Sequence, residues 1–113
     1  MKLHNLTPHP IEILDEENKT IKVLDGCNTP PRISSKTTRT GNTIERIPIS
    51  QNEYWEVKNL PEYQEGHVYI VSMMICNACS DRSDLFIVNE IVRNEKGQII
   101  GAKSIAQNPN LEN

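Results

Sequence analysis

Apolar residues in this chain recur mostly at every second position, and turn residues interrupt them roughly every eight to twelve positions, the pattern of short antiparallel strands. A first strand opens at Leu3 and runs toward Leu6. Thr7-Pro8-His9-Pro10 must then extend or turn, because each proline disfavours the α region for the residue before it. Ile11 and Ile13 around Glu12, and Ile21 and Val23 around Lys22, predict strands near 11–15 and 20–25 joined by a turn over Asp15-Glu16-Glu17-Asn18-Lys19. A stiff loop with Gly26 and Pro30-Pro31 leads into Arg32. The Ser/Thr/Ile-rich stretch 32–50 suits a long hairpin with Gly41-Asn42 at its middle and 43–49 as its better-formed arm, and 54–58 reads as a separate short strand.

Val68-Tyr69-Ile70-Val71 favours a buried strand over 67–71, after which the β-branched bias is lost and a short helix is predicted over about 73–80 with Ser72 as N-cap. Leu85 to Val88 form a second buried run, and 91–93 and 98–102 flank the turn Asn94-Glu95-Lys96-Gly97. The fold class is therefore α+β and β-rich: mainly antiparallel sheet, or a small open barrel, packed against one short helix. A single β-rich domain spans 1–107 and a flexible tail covers 108–113.

The 113 residues suffice for one core, with 36% hydrophobic and 24% charged side chains. Twelve basic against fifteen acidic residues leave a net charge of −3, the wrong sign for a partner such as extended nucleic acid. No apolar run reaches the roughly 18 to 20 residues of a bilayer span and none follows Lys2 as a signal core, so no membrane partner and a cytosolic, soluble protein are expected. Charge is nonetheless uneven. Between Arg32 and Arg46 the basic residues Arg32, Lys36, Arg39 and Arg46 face Glu45 alone, a net of +3, which leaves −6 on the rest of the chain. A basic hairpin on an acidic protein fits a compact anion, since arginine forks onto one or two phosphates while the remaining surface repels a long polyanion.

Three cysteines, Cys27, Cys76 and Cys79, cannot all pair within one chain, and reduced thiols are the simpler reading. Cys76 and Cys79 share one face of a helix at the spacing of a metal or redox pair, but no second close-spaced pair completes a zinc set, and core packing is favoured over a metal site. His9, fixed between Pro8 and Pro10, can aim its imidazole at a ligand or a strand end. Arg82 lies between Asp81 and Asp84, where it either locks the turn or contacts an anion; Lys103 and Ser104 offer a second anion contact. G-x-S-x-G, Walker-type, H-E-x-x-H and G-x-G-x-x-G patterns do not occur, so no catalytic residue and no cofactor is expected.

Several landmarks together resemble a family of small bacteriophage and prophage proteins that share an N-L-T-P-H opening. They are Asn5-Leu6-Thr7-Pro8-His9-Pro10-Ile11, Arg32 after its Pro-containing loop, Leu60-Pro61, Val68-Tyr69-Ile70-Val71-Ser72, Arg82-Ser83-Asp84-Leu85 and the stretch from Val92 to Gly101. Proteins of this kind include the anti-Thoeris and anti-CBASS sponges, which sequester cyclic nucleotide signals. The resemblance implies a counter-defence protein in the host cytoplasm that binds a cyclic nucleotide or cyclic ADP-ribose-type signal without cleaving it; a homo-oligomer is expected because 113 residues leave little room for both a core and an enclosing pocket, and symmetry doubles every arginine at a shared site. Arg32 and Lys103 would hold phosphate, with Arg39, His9, Arg82 and Ser104 as further contacts; lysine at 103 keeps charge but lacks the guanidinium fork. Tyr54, Trp55, Tyr63, Tyr69 and Phe86 are the side chains available for stacking. The competing reading is direct inhibition of a host defence enzyme or nuclease through protein–protein contact.

Overall fold

The computed structural model describes residues 1–107, with the side chains of Tyr54 and Trp55 left aside, so the expected tail over 108–113 lies outside the described residues. Eight strands and one helix follow in the order β1 (Lys2–Asn5), β2 (Ile11–Leu14), β3 (Thr20–Leu24), β4 (Arg32–Ile44), β5 (Ile47–Lys58), β6 (His67–Ile70), α1 (Met73–Ala78), β7 (Leu85–Arg93) and β8 (Ile99–Gln107). The fold is β-rich with one short helix, as expected. A six-stranded sheet of order β1-β6-β7-β8-β2-β3 curls until it nearly closes into a barrel, and β4 and β5 form a separate two-stranded ribbon. The sheet is mixed: β1 with β6, β6 with β7 and β2 with β8 run parallel, while β2 with β3 and β7 with β8 are antiparallel.

The two hairpins read from sequence share one device. Asp15 Oδ1 accepts the amides of Glu17 and Lys19, and Asn94 Oδ1 accepts those of Lys96 and Gln98. The short carboxylate or amide takes the place of a backbone acceptor, and Asn18 and Gly97 supply the left-handed residue each turn needs.

Closure depends on the Asn5-Leu6-Thr7-Pro8-His9 segment. Asn5, 9% exposed, accepts from the Thr7 amide at 2.9 Å and the Thr7 hydroxyl at 2.6 Å through Oδ1. Its Nδ2 donates to the His9 carbonyl at 2.8 Å and to the Leu24 carbonyl at 3.4 Å. Together with the bond from the Cys27 amide to the Thr7 carbonyl at 2.8 Å, this joins the edge strands β1 and β3. Gly26 makes the approach possible, because a Cβ there would stand 2.7 Å from the Pro8 carbonyl oxygen.

β6 is buried on both faces, which explains its continuous apolar run. Tyr69 and Val71 meet Ile75, Cys76 and Leu85 in a core under α1, joined at its margin by Ile33, Val57 and Leu60 from the ribbon base and the following turn. Ser72 caps α1 as expected, accepting the Ile75 amide at 3.4 Å. The helix ends at Ala78 rather than near 80, with Cys79 as its C-cap.

Other boundaries depart from the sequence reading. The ribbon does not turn at Gly41-Asn42: Gly41, at φ 86°, lies at an irregularity in register between Arg39 and Thr43. The chain reverses at Glu45-Arg46, both left-handed at φ 50° and 69°, so 43–49 spans the turn and 54–58 simply continues β5. Likewise 85–88 and 91–93 belong to one strand, β7, whose Glu90 sits at φ 52° and whose pairing with β8 shifts register between Val92 and Arg93. No helix among the described residues is long and apolar enough to cross a membrane.

Candidate functional site

The mouth of the barrel opens into a cleft of about 590 Å³. Ile70 and Ala102 form its buried floor; Met73, Ile91, Ile99 and Ile100 stand exposed around it. Polar groups are few: Thr7 and His9 from the segment that closes the barrel, Glu12 at the start of β2, and Ser72 at the N-cap of α1. This composition, apolar walls with a handful of placed polar groups, is that of small-molecule sites generally. Backbone packing shapes the same region. Gly101 lets β8 lie against β2, since a Cβ at 101 would come within 2.8 Å of the Glu12 carbonyl oxygen and of the Leu14 side chain.

The residues expected to bind ligand do not converge in one chain. Of them, His9 alone lines the cleft. Arg32 begins β4 opposite Lys58 at the ribbon base, and Arg39 lies opposite Ser50 farther along it. Neither Arg32 nor Arg39 makes a side-chain hydrogen bond or ion pair among the described residues. Lys103 reaches back to the turn after β2, 3.5 Å from the Glu16 carbonyl oxygen and 3.9 Å from its carboxylate. The Ser104 hydroxyl accepts from Asn89 at 3.4 Å across the β7–β8 pair.

Arg82 is committed to the fold. Its Nε and Nη2 donate to Asp84 Oδ1 and Oδ2 at 2.8 and 2.7 Å, and Nη2 also donates to the Pro61 carbonyl at 2.9 Å. Asp84 is 2% exposed, so this fork neutralises a buried carboxylate, and those hydrogen bonds hold the guanidinium still more firmly protonated. Here the turn-locking role read from the sequence is the one the geometry displays.

Both cysteines of the pair stand at the end of α1 and belong to one core cluster, Cys79 at its margin. Cys76 is buried in the core and Cys79 is half-buried at the cap, where burial pushes its thiol above the ordinary range. Among the described residues no disulfide forms between the three cysteines, and no group of three or more potential metal ligands gathers. Of the stacking candidates, Tyr69 is core and stacks on His4 at 5.1 Å between centroids, and Tyr63 is exposed. Tyr54 and Trp55 carry side chains outside the description. His4 Nε2 lies 2.9 Å from His67 Nδ1 across the β1–β6 edge. Burial pulls the His4 imidazole below its ordinary value, and the charges of His67 and Lys2 pull the same way.

Sequence reasoning missed the cleft. Its one visible signal is the doublet Ile99-Ile100, apolar at two successive positions where a half-solvated strand would alternate; both line the cleft, at the point where the β7–β8 register shifts. Compared with family models, curated proteins and solved structures, the chain matches none at a significant level.

Proposed function

We propose that the protein is a non-enzymatic binder that sequesters a small nucleotide-derived signal of the cyclic nucleotide or cyclic ADP-ribose type, as a phage counter-defence factor working in the host cytoplasm. The observation that carries this reading is the pairing of an open apolar cleft with arginines, Arg32 and Arg39, that no carboxylate among the described residues engages, on a chain of net charge −3. An apolar floor accepts a base or ribose face; free guanidinium forks accept phosphate. Arg39 stands on a ribbon that is exposed throughout its outer part, so bringing it over a cleft takes a second copy, and the site is completed between protomers.

The test is a thermal-shift screen of the purified protein against cyclic dinucleotides, cyclic trinucleotides and cyclic ADP-ribose isomers. Selective binding to the folded state adds about 2.7 kcal/mol at a ligand concentration of 100 times Kd. Ligand recovered unchanged after denaturation supports sequestration over turnover. Arg32→Ala is expected to abolish the shift while leaving the unliganded melting curve in place. No shift with any ligand, from a folded sample, transfers the reading to direct inhibition of a host protein.

A further inference from the structure

The ribbon is the part of the molecule whose exposure the fold itself does not explain. Every residue over 35–48 is exposed, and so are 50–53, leaving Ile49 the one half-buried position over 35–53. An irregularity in register at Ser34/Ser35 marks where β4 leaves the body. From there to the turn about ten residues extend some 33 Å. The radius of gyration is 17.3 Å, against about 13 Å for a compact chain of this length. A two-stranded ribbon solvated on both faces is marginal in water and gains its order from something packed on it.

The ribbon tip is apolar and narrow. Ile44 and Ile47 lie directly opposite each other, each 64% exposed, and Ile49 follows two residues on along the same face. Arg46 adjoins them in the turn. The barrel mouth is the concave counterpart: Ile91, Ile99 and Ile100 are 41%, 59% and 41% exposed around the cleft, with Met73 beside them. Charge agrees. Residues 32–58 carry five basic and three acidic side chains, a net of +2, while the rest of the chain carries −5, with Glu12 in the cleft lining and Glu90 next to Ile91.

We propose that the β4–β5 tip of one copy seats in the mouth of a second copy, with Ile44, Ile47 and Ile49 against Ile91, Ile99 and Ile100 and Arg46 facing Glu12. The contact leaves the Thr7–His9 side of the cleft for a ligand. It uses the second copy that the ligand reading also invokes but none of the ligand, and its test is run without nucleotide, so the two readings fail separately.

Sedimentation equilibrium of the full chain tests it. The parent protein assembles in a concentration-dependent manner. The tip variant Ile44→Asp/Ile47→Asp and the mouth variant Ile99→Asp each leave the circular dichroism spectrum unchanged and weaken assembly, the tip variant by ~100-fold or more because two isoleucine anchors are lost. Met73→Glu, at a position 62% exposed, replaces Ile99→Asp should that variant not fold. The decisive sample is the mixture of tip and mouth variants. Each retains the half the other lacks, so the mixture forms pairs that neither forms alone, whereas an interface between two tips is not rescued. A parent that stays monomeric, a tip variant that assembles as well as the parent, or a mixture that remains monomeric overturns the proposal.

Discussion

Replacing Arg82 with alanine separates a structural arginine from a ligand-binding one. Asp84 is 2% exposed, and three of its surroundings' contacts pass through one guanidinium: two bonds to its own carboxylate and one to the Pro61 carbonyl. The Arg82 side chain is itself only 21% exposed, so water screens the pair little. Arg82→Ala leaves a buried carboxylate without its cation, and removing one partner of such a pair costs about 3–5 kcal/mol. Against a total stability of about 5–15 kcal/mol for a domain this size, that is a large share. With about 4 °C lost per kcal/mol, melting falls by about 12–20 °C. Urea denaturation of Arg82→Ala, Asp84→Asn and the double variant reads the effect. The double variant is expected to recover part of the loss, because it no longer buries an unpaired charge. Melting of Arg82→Ala within about 1 °C of the parent, together with loss of ligand binding, would show that the fork is dispensable for folding and that its surroundings have been misread.

Three further outcomes follow from the geometry. His4 has a folded-state pKa below its ordinary value, so its neutral form stabilises the fold; that contribution is present above pH of about 6.5 and is lost as pH falls through the folded value. Urea midpoints measured from pH 8 to 5 should fall on the acid side, and His4→Gln should flatten the slope. Gly101→Ala puts a Cβ 2.8 Å from the Glu12 carbonyl oxygen and destabilises by about 1–3 kcal/mol in the same assay, an overpacking cost. Glu45→Asn/Arg46→Gly relieves two left-handed non-glycine residues in the ribbon turn and raises amide protection along β4 and β5, measured by hydrogen exchange.

Much of the fold was legible because its signals are local. The Asp15 and Asn94 turns, the Ser72 cap and the buried run of β6 each depend on residues within a few positions of one another, and each was read at its place. Parallel pairing was not, since β1 with β6 and β2 with β8 join segments far apart in the chain with nothing in either strand to name its neighbour. The ribbon turn was misplaced for a different reason. Gly41-Asn42 is a strong turn signal, yet the glycine's freedom is used at an irregularity within β4, and the reversal falls on Glu45 and Arg46, residue types that rarely adopt positive φ.

The ligand reading divides along the same line. Charge was legible as composition: Arg32 and Arg39 were picked out as part of an uneven basic stretch, and among the described residues they make no ion pair. Arg82 stood apart from them because Asp81 and Asp84 flank it and point to a locked turn; that Asp84 is the partner, and that it is buried, was visible only in the structure. The cleft escaped because its walls come from four separate stretches of chain, 7–12, 70–73, 87–91 and 99–102. What links them is the opening segment: Asn5 fixes Thr7 and the His9 carbonyl by hydrogen bonds and ties β1 to the end of β3, so the residues that close the barrel also set His9 at its mouth. Asn5→Ala should therefore cost stability and displace His9 together, whereas His9→Ala, at an exposed side chain, should spare stability and report on ligand alone.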